Sequence, residues 1–371
     1  MIMKKILFLI TNLAHGGAER VLVNLANNLN KEKYDVTVMT IFDEGVNRQY
    51  LSTNVHYRTM FHKSFHGIKY ITAMLPASLL YKLFVKEVYD YEIAYLEGPP
   101  AKIISGCRNK DTKLISWIHI ELLSNNAFSE GFKSIKEAKK TYQKFTKIVC
   151  VSNTVKQCFV NISEIHDNVG VLYNTNETEL IREKSTELVE DLAFGSVFTV
   201  CSVAKIEDSK GYDRLLEVHK KLTDEGFLHR IILIGIGSQS EKLKERAETY
   251  GVSDSFLLIG FRDNPYKYIA KSDLYICSSR REGFSTAVTE ALIIGTPVVS
   301  TECSGAKELL GESNEYGIVV DNSIDGIYQG MKVMLRNPQL LQYYKEQAAI
   351  RGSYFSREKT VKAVEKMLES I

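Results

Sequence analysis

Short apolar runs alternate with amphipathic stretches from the start of the chain. Residues 4–10 lead into a continuous apolar run, which is typical of a strand that a parallel sheet buries on both faces. Residues 18–29 place apolar side chains three and four positions apart, which is the period of one helix face. Residues 36–42 form a second apolar run. This order of strand, helix and strand predicts a parallel sheet covered by helices.

The same alternation continues along the chain and is interrupted once. Further strands are predicted at 91–96, 113–118, 147–151, 169–173, 197–203, 230–234, 256–259, 274–277 and 297–300, with helices at 213–223 and 241–250. Residues 174–191 are polar and charged, so we predict a junction between two α/β domains there. The first domain is placed at 1–174 and the second at 175–355, followed by an amphipathic helix at 356–371.

The composition indicates a soluble globular protein. Of its residues, 25% are charged and 44% are hydrophobic, which is typical of such proteins. The length of 371 residues is enough for two domains of ordinary size. The net charge of +2 is too small to indicate nucleic-acid binding, and we expect no nucleic-acid partner. No window of about 18 consecutive apolar residues occurs, so no membrane-spanning helix is expected.

Cysteine spacing and the first residues bear on the compartment. The six cysteines lack Cys-x-x-Cys spacing, and Cys150, Cys201 and Cys277 lie inside apolar runs. This pattern favours buried free thiols in a reducing compartment. The first ten residues imitate a signal peptide, but the apolar run stops at Thr11, so we interpret it as a buried strand. We therefore expect a cytoplasmic protein.

Residues 281–290, Arg-Glu-Gly-Phe-Ser-Thr-Ala-Val-Thr-Glu, lie between a predicted strand and a helix-like run. The first turn of a helix has unpaired N–H groups and partial positive charge, which favours phosphate binding. Glu282 and Glu290 are eight positions apart, about two helical turns, so both can point to one side. A carboxylate at each end of an anion site suits a nucleotide sugar. The alternative is an ordinary strand–helix unit with two solvated glutamates.

Other polar residues follow predicted strands. Gly16 and Gly17 follow the first strand, where a plain tight turn or a loop facing a donor phosphate would both need glycine. They do not complete Gly-x-Gly-x-x-Gly, so a dinucleotide fingerprint is absent. His119 ends the strand at 113–118, and ligands bind outside the carboxyl ends of parallel strands. A lone histidine is more often structural, but this position favours a binding role.

Two lysines follow the first strand of the second domain. Lys205 and Lys210 are five positions apart and can converge on a diphosphate, although a solvated charged loop has the same composition. The Gly-x-Gly at 235–237 follows the next strand and is weak evidence by itself. The strand–loop pattern thus predicts a phosphate site in the second domain.

The Glu282-Gly-Phe opening, followed by seven residues and Glu290, resembles the retaining glycosyltransferases of the large group 1, or family four, type. Lys210-Gly extends the resemblance, although Ala-Lys205 stands where the family usually has Gly-Arg. Lysine keeps the charge there but loses the bidentate fork of arginine. The resemblance implies the GT-B fold: two Rossmann-like, doubly wound parallel-sheet domains facing across a cleft. It also implies a last helix that crosses back to the first domain.

The resemblance also implies roles for individual residues. Those implied to be catalytic are His119, Lys210 and Glu282. Those implied to bind the donor are Gly16, Gly17, Lys205, Lys210, Gly283, Phe284, Ser285, Thr286, Ala287 and Glu290. Glu282 would contact sugar hydroxyls, Glu290 the ribose, and the main chain of 284–287 the diphosphate. No Asp-x-Asp motif occurs, so neither a metal nor another cofactor is expected.

The expected activity is metal-independent transfer, with retention, from a UDP-sugar (favoured over a GDP-sugar) to a saccharide or lipid-linked saccharide. Bacterial surface polysaccharide synthesis would be the setting. One alternative is a catalytically silent partner subunit with the same fold, which would be expected to lack some of His119, Lys210, Glu282 and Glu290. The other is a nucleotide-sugar epimerase, which the Glu-Gly-Phe opening disfavours.

Residues 61–90 interleave basic and apolar side chains. The basic ones are His62, Lys63, His66, Lys69, Lys82 and Lys86, among Phe61, Phe65, Ile68, Ile71, Leu75, Leu79, Leu80, Leu83 and Phe84. Such a stretch suits an anionic membrane surface, and it equally suits a pair of helices that face the core. If it binds a membrane, the protein is peripheral on the inner face of the cell membrane.

Overall fold

The computed structural model describes residues 3–14, 16–65 and 67–371. The chain divides into two compact units. Unit 1 comprises residues 1–176 and 357–371, and unit 2 comprises residues 177–356. Each unit is a parallel sheet flanked by helices, so the predicted α/β class with two parallel sheets is confirmed.

Unit 1 contains a seven-stranded parallel sheet in the order β3-β2-β1-β4-β5-β6-β7. Its strands are β1 (Lys4–Ile10), β2 (Tyr34–Phe42), β3 (His56–Phe61), β4 (Tyr91–Ala94), β5 (Lys113–Ile118), β6 (Lys147–Cys150) and β7 (Val169–Val171). Its helices are α1 (Gly17–Asn28), α2 (Ile68–Met74), α3 (Ala77–Phe84), α4 (Pro99–Ile104), α5 (Asn125–Phe128), α6 (Ile135–Tyr142) and α7 (Asn153–Ser163), with a short 3-10 helix at Val46–Tyr50.

Unit 2 contains a six-stranded parallel sheet in the order β10-β9-β8-β11-β12-β13. Its strands are β8 (Phe198–Val203), β9 (His229–Ile234), β10 (Phe256–Leu258), β11 (Leu274–Cys277), β12 (Val298–Thr301) and β13 (Ile318–Val320). Its helices are α8 (Thr178–Ser185), α9 (Tyr212–Asp224), α10 (Ser240–Thr249), α11 (Tyr266–Lys271), α12 (Thr286–Ile294), α13 (Ala306–Leu310), α14 (Ile324–Arg336) and α15 (Pro338–Gly352), with 3-10 helices at Asp208–Lys210 and Ser353–Phe355.

The central strands are buried on both faces. From Ile6 to Ile10, every residue of β1 has no solvent-exposed surface, because helices cover the sheet above and below. Ile6 pairs with Val36 on one side and with Tyr91 on the other. The continuous apolar run of β1 is therefore the signature of a central parallel strand.

The last helix, α16 (Arg357–Glu369), packs within unit 1. The Tyr91 hydroxyl donates to the Leu368 carbonyl oxygen at 2.9 Å, and the Asn30 N–H donates to Glu365 Oε1 at 2.8 Å. Unit 1 is therefore built from both ends of the chain, and unit 2 from the segment between them.

Each sheet has one point at which the strand order reverses. In unit 1 this point lies between β1 and β4, and in unit 2 between β8 and β11. Loops leave these neighbouring strands on opposite faces of the sheet, so a crevice opens at their carboxyl ends, where ligands bind in sheets of this kind. In each unit, the two loops that follow these strands are therefore the expected ligand-binding loops.

Candidate functional site

Lys210 and Glu282 meet at the reversal point of unit 2. Lys210 lies in the loop after β8, and Glu282 lies in the loop after β11. The Lys210 Nζ is 2.7 Å from Glu282 Oε1, although the residues are 72 positions apart in sequence. The Ser279 hydroxyl donates to the same carboxylate oxygen at 2.6 Å. Two residues that the sequence analysis assigned to catalysis are thus brought into direct contact.

The Lys210–Glu282 pair is shielded from water. The Lys210 side chain is 23% exposed and that of Glu282 is 14% exposed. Burial acts to lower the pKa of Lys210, but the charge of Glu282 and the hydrogen bond to it outweigh burial, and the net shift is upward. Lys210 is therefore firmly cationic near neutral pH, as binding of a diphosphate requires.

Gly211, which follows Lys210, allows the loops after β8 and β11 to pack closely. It caps α9 in the left-handed region, with φ +67°, and a Cβ atom there would lie 2.2 Å from the Ser278 carbonyl oxygen. The Ser278 hydroxyl donates to the Lys210 carbonyl oxygen at 2.8 Å. The two loops are therefore in van der Waals contact, and only glycine allows this approach.

Two arginines, which the sequence analysis missed, clamp these loops. Arg280 forms two hydrogen bonds to the Asp213 carboxylate, at 2.8 and 2.7 Å. Arg214, 8% exposed, donates to the Ser278 carbonyl oxygen at 2.7 Å. The sequence did show Asp213 and Arg214 in the first turn of the helix that follows Lys210-Gly. Their partners, Arg280 and Ser278, lie on a loop far away in sequence, so the sequence could not reveal the contacts.

The helix after Glu282 begins later than the sequence suggested. α12 starts at Thr286, and its N-cap Ser285 accepts a hydrogen bond from the Val288 N–H at 3.3 Å. Glu282 therefore lies in the loop, and the helical spacing of about two turns does not relate it to Glu290. Glu290 Oε1 accepts a hydrogen bond from the Tyr266 hydroxyl at 3.2 Å.

The remaining predicted donor residues of unit 2 differ in burial. Gly283 is buried, and Phe284 is 5% exposed with its ring 5.8 Å from that of Phe355, so any ligand contact of Phe284 is through its main chain. Thr286 and Ala287 are half-buried at the start of α12, whereas Lys205 is exposed. Helix α12 begins at Thr286, four residues after Glu282, so its first turn follows closely on the Lys210–Glu282 pair.

The Gly-x-Gly at 235–237 has a packing role. A Cβ atom on Gly235 would lie 1.9 Å from the Ala204 carbonyl oxygen, and one on Gly237 would lie 2.2 Å from that of Ile206. These glycines allow the loop after β9 to approach the loop that carries Lys205.

In unit 1, the predicted glycines open helix α1. Gly17 is the first residue of α1 and Gly16 is its N-cap. A Cβ atom on Gly16 would lie 2.0 Å from a carboxylate oxygen of Glu19, so this side chain folds back over the first turn. The Glu19 side chain thus covers the N-terminus of α1, next to the reversal point of unit 1.

His119 lies immediately after β5 and is 8% exposed. Burial lowers its pKa to about 3, so the imidazole is neutral, and its ring lies 4.8 Å from that of Tyr95. Within the described residues, His119 Nε2 and the Tyr95 hydroxyl are buried without hydrogen-bond partners. Glu97, which the sequence analysis missed, accepts a hydrogen bond from the His119 main-chain N–H at 3.2 Å.

The described part of the chain contains no group of three or more histidine, cysteine, aspartate or glutamate side chains arranged to hold a metal ion. A bilayer-crossing helix is also absent from residues 3–14, 16–65 and 67–371, since none is both long and apolar enough.

Both halves of the chain match known families. Residues 15–180 match Glycosyltransferase Family 4, and residues 183–351 match Glycosyl transferases group 1. An N-acetylgalactosamine-N,N'-diacetylbacillosaminyl-diphospho-undecaprenol 4-alpha-N-acetylgalactosaminyltransferase of Campylobacter jejuni is 26% identical over 99% of this chain and 100% of its own. An uncharacterized glycosyltransferase of Haemophilus influenzae is 25% identical over 97% of this chain and 98% of its own.

Solved structures agree with the fold. An Anabaena protein crystallised with UDP and glucose superposes with a TM-score of 0.81 at 19% identity, covering 99% of this chain and 100% of that one. A glycosyltransferase of Rickettsia africae superposes with a TM-score of 0.80 at 17% identity, covering 100% and 99%. With two parallel-sheet units and family matches that run side by side along it, this chain belongs to the group 1 (family 4) glycosyltransferases, which have the GT-B fold.

Proposed function

We propose that this protein is a retaining, metal-independent glycosyltransferase that moves a hexose or N-acetylhexosamine from a UDP-sugar to a lipid-linked saccharide. The observation that carries the proposal is the Lys210–Glu282 pair at the reversal point of unit 2, followed in the chain by the capped helix α12. This arrangement combines a fixed cation, a carboxylate and a helix N-terminus, which suit a diphosphate joined to a sugar.

Lys210 stabilises the leaving diphosphate. Its ammonium group has three N–H donors, and the structure shows one of them directed at Glu282, so others are available to phosphate oxygens. As the bond between the sugar and the diphosphate breaks, negative charge accumulates on the diphosphate. Lys210 and the first turn of α12 stabilise that charge electrostatically, without a metal ion. Glu282 holds Lys210 in place and accepts hydrogen bonds from sugar hydroxyls.

The choice of UDP and of a lipid-linked acceptor rests on relatives. A structure with the same fold contains UDP, and the Campylobacter relative is named for a saccharide on diphospho-undecaprenol. Such an acceptor lies in a membrane, which agrees with a cytoplasmic protein that is peripheral on the inner face. Surface polysaccharide or glycoconjugate synthesis is the setting that we propose.

Nucleotide binding is the first test. We expect UDP, with EDTA present, to raise the melting temperature of the protein, and GDP to do so less. Stabilisation by a ligand follows RT ln(1 + [L]/Kd), about 2.7 kcal/mol at 100 times Kd. Glu290→Ala should remove most of the shift, whereas Glu241→Ala, which changes an exposed side chain of α10, should leave it unchanged. Equal melting with and without every nucleotide would contradict the proposal.

Transfer itself is the second part of that test. Wild-type protein is incubated with UDP-sugars and a short polyprenyl diphosphate that carries one N-acetylhexosamine, and UDP release is measured. We expect release in EDTA and a product with the anomeric configuration of the donor, read by NMR. An inverted product, or release that requires a divalent cation, would contradict the retaining, metal-independent mechanism.

The surface formed by α2, α3 and the residues that flank them, 63–65 and 67–86, is the part of unit 1 that we propose to contact the membrane. Exposed apolar side chains there are Phe65 (36%), Tyr70 (73%), Ile71 (41%), Met74 (84%), Leu79 (42%) and Leu83 (49%). Lys63, Lys69, Lys82 and Lys86 are exposed beside them, whereas His66 lies outside the described residues. Lys102, 1% exposed, donates to the Ala73 carbonyl oxygen at 3.2 Å and anchors α2 from below. Apolar side chains beside lysines suit an anionic bilayer.

Binding to vesicles tests this surface. We expect the protein to sediment with vesicles that contain anionic lipid and not with neutral ones. Changing Lys63, Lys69, Lys82 and Lys86 to Ser should weaken binding roughly 10²- to 10³-fold, since each lysine near an anionic surface contributes about 1 kcal/mol and four are removed. The matched control changes four exposed lysines of unit 2, Lys242, Lys244, Lys271 and Lys345. Equal binding by the two quadruple variants would exclude this surface.

A further inference from the structure

We propose that Glu97 is a substrate-binding carboxylate that, together with Tyr95 and His119, holds a hydroxyl of a sugar ring at the reversal point of unit 1. The inference rests on the proposed glycosyl transfer and deepens it. Together, these three residues form the Glu97 cluster. The sugar belongs either to the acceptor or to the donor, and the experiment distinguishes these two sources.

Glu97 lies at the reversal point of the unit 1 sheet. It follows β4, which neighbours β1 at the point where the strand order reverses, and His119 follows β5, the next strand. Glu97 Oε2 accepts the His119 main-chain N–H at 3.2 Å, so its side chain extends across the carboxyl ends of two strands. Glu282 follows β11 at the equivalent place in unit 2. Each unit thus has a glutamate beside the crevice where ligands of such sheets bind.

Two buried polar groups lie in the same cluster as Glu97. The Tyr95 hydroxyl and His119 Nε2 are buried and have no hydrogen-bond partner among the described residues, and their rings lie 4.8 Å apart. A buried polar group that is left unpaired carries a desolvation penalty, so a ligand that pairs with it recovers that free energy. A sugar ring offers adjacent hydroxyls that both donate and accept. The neutral imidazole and the hydroxyl can use either role, and a carboxylate accepts only.

The surroundings of Glu97 determine which group titrates. Burial, followed by repulsion from Glu130, raises the pKa of Glu97 to about 7 against the hydrogen bonds that it accepts. Apart from the Glu130 carboxylate that causes this repulsion, the groups that face Glu97 are neutral at that pH. Burial lowers the pKa of His119 to about 3, raises that of Cys150 to about 12, and raises that of Tyr142 well above its usual value. Within this group of residues, ionisation between pH 6 and 8 is therefore that of Glu97.

The test compares Glu97→Gln with Glu92→Gln. Glu92 is a matched control because it is on β4 itself, is fully buried, and has a pKa raised by burial to about 7, but its carboxylate accepts a hydrogen bond from Tyr81, within the fold. UDP release is measured from pH 6 to 8 with UDP-sugar and the polyprenyl diphosphate N-acetylhexosamine. We expect wild-type kcat/KM to fall about tenfold from pH 8 to pH 6, because the carboxylate is required.

Glu97→Gln should lose roughly 10- to 100-fold in kcat/KM at pH 8 and show no step near pH 7. Glu92→Gln should keep both the rate and the step. A rise in the KM of the acceptor alone assigns the acceptor sugar to the cluster. A rise in the KM of the UDP-sugar, with the Kd of UDP unchanged, assigns the donor sugar.

Wild-type kcat/KM and a wild-type pH profile in Glu97→Gln would overturn the inference. If that variant does not fold, Glu97→Asp replaces it; it should keep the pH step with a higher KM for one substrate, and an unchanged KM would overturn the inference. Wild-type protein that releases no UDP with any donor and acceptor counts against the proposed function instead. The two failures are therefore distinguishable.

Discussion

Lys210→Met is expected to lower kcat/KM for the UDP-sugar by roughly 10²- to 10³-fold, the loss seen when one preorganised donor to a developing negative charge is removed. Lys210 is 23% exposed and held by Glu282 at 2.7 Å, so its charge is fixed before the substrate arrives. A fixed charge in a site shielded from water needs no reorganisation as the diphosphate leaves. UDP release at saturating acceptor measures the effect.

Two further variants separate catalysis from stability. Lys205→Met removes an exposed lysine of the same loop, and we expect a loss of less than about tenfold because exposed charges are screened by salt. Lys210→Met also leaves the largely buried carboxylate of Glu282 without its cation, which is destabilising. Adding Glu282→Gln should restore melting temperature but not the rate. Equal losses in the Lys205 and Lys210 variants would show that Lys210 has no special role.

Gly211→Ala is expected to destabilise unit 2 and to abolish UDP binding. A residue with a Cβ atom in the left-handed region costs about 1–2 kcal/mol by itself. At Gly211 the Cβ atom would also lie 2.2 Å from the Ser278 carbonyl oxygen, so the loops after β8 and β11 must separate. We expect a total loss of about 3 kcal/mol or more in the free energy of unfolding, read by urea denaturation.

Gly251 offers a control with the same backbone conformation. Its φ is also +67°, but a Cβ atom there would meet nothing within 4 Å. Gly251→Ala should therefore cost only the backbone term, about 1–2 kcal/mol, and should leave UDP binding intact. If the two alanine variants lose equal stability and both bind UDP, the close contact between the loops is not what positions Lys210.

The contacts between the loops after β8 and β11 also connect the candidate site to the hydrophobic core of unit 2. Arg214 and the Arg280–Asp213 pair tie the loop after β11 to helix α9. Helix α9 in turn buries Leu215, Leu216 and Leu222 completely. Stability and donor binding in unit 2 are therefore expected to change together when these contacts are altered.

The pattern of hydrophobic residues by itself identified most of the strands in both sheets. Runs such as Lys4–Ile10, Lys113–Ile118 and Leu274–Cys277 have the predicted bounds, because a central parallel strand must be apolar on both faces. The two strands that patterning missed are edge strands. In β3, His56–Phe61, half of the residues are polar, and β13, Ile318–Val320, is only three residues long. Edge strands are covered less completely, so their composition is less restricted.

Tertiary structure alone decided which polar residues share a site. Lys210 and Glu282 were each identified from their neighbours in sequence, but their contact depends on β8 lying beside β11, which only the sheet order specifies. The same order places Glu97 against His119, and no local pattern marked Glu97. It also left several apolar side chains of α2 and α3 exposed, such as those of Tyr70, Met74 and Leu83, whereas Leu80 is buried. Local sequence governs the propensity and burial of single elements, whereas a site is made where loops from strands distant in sequence meet.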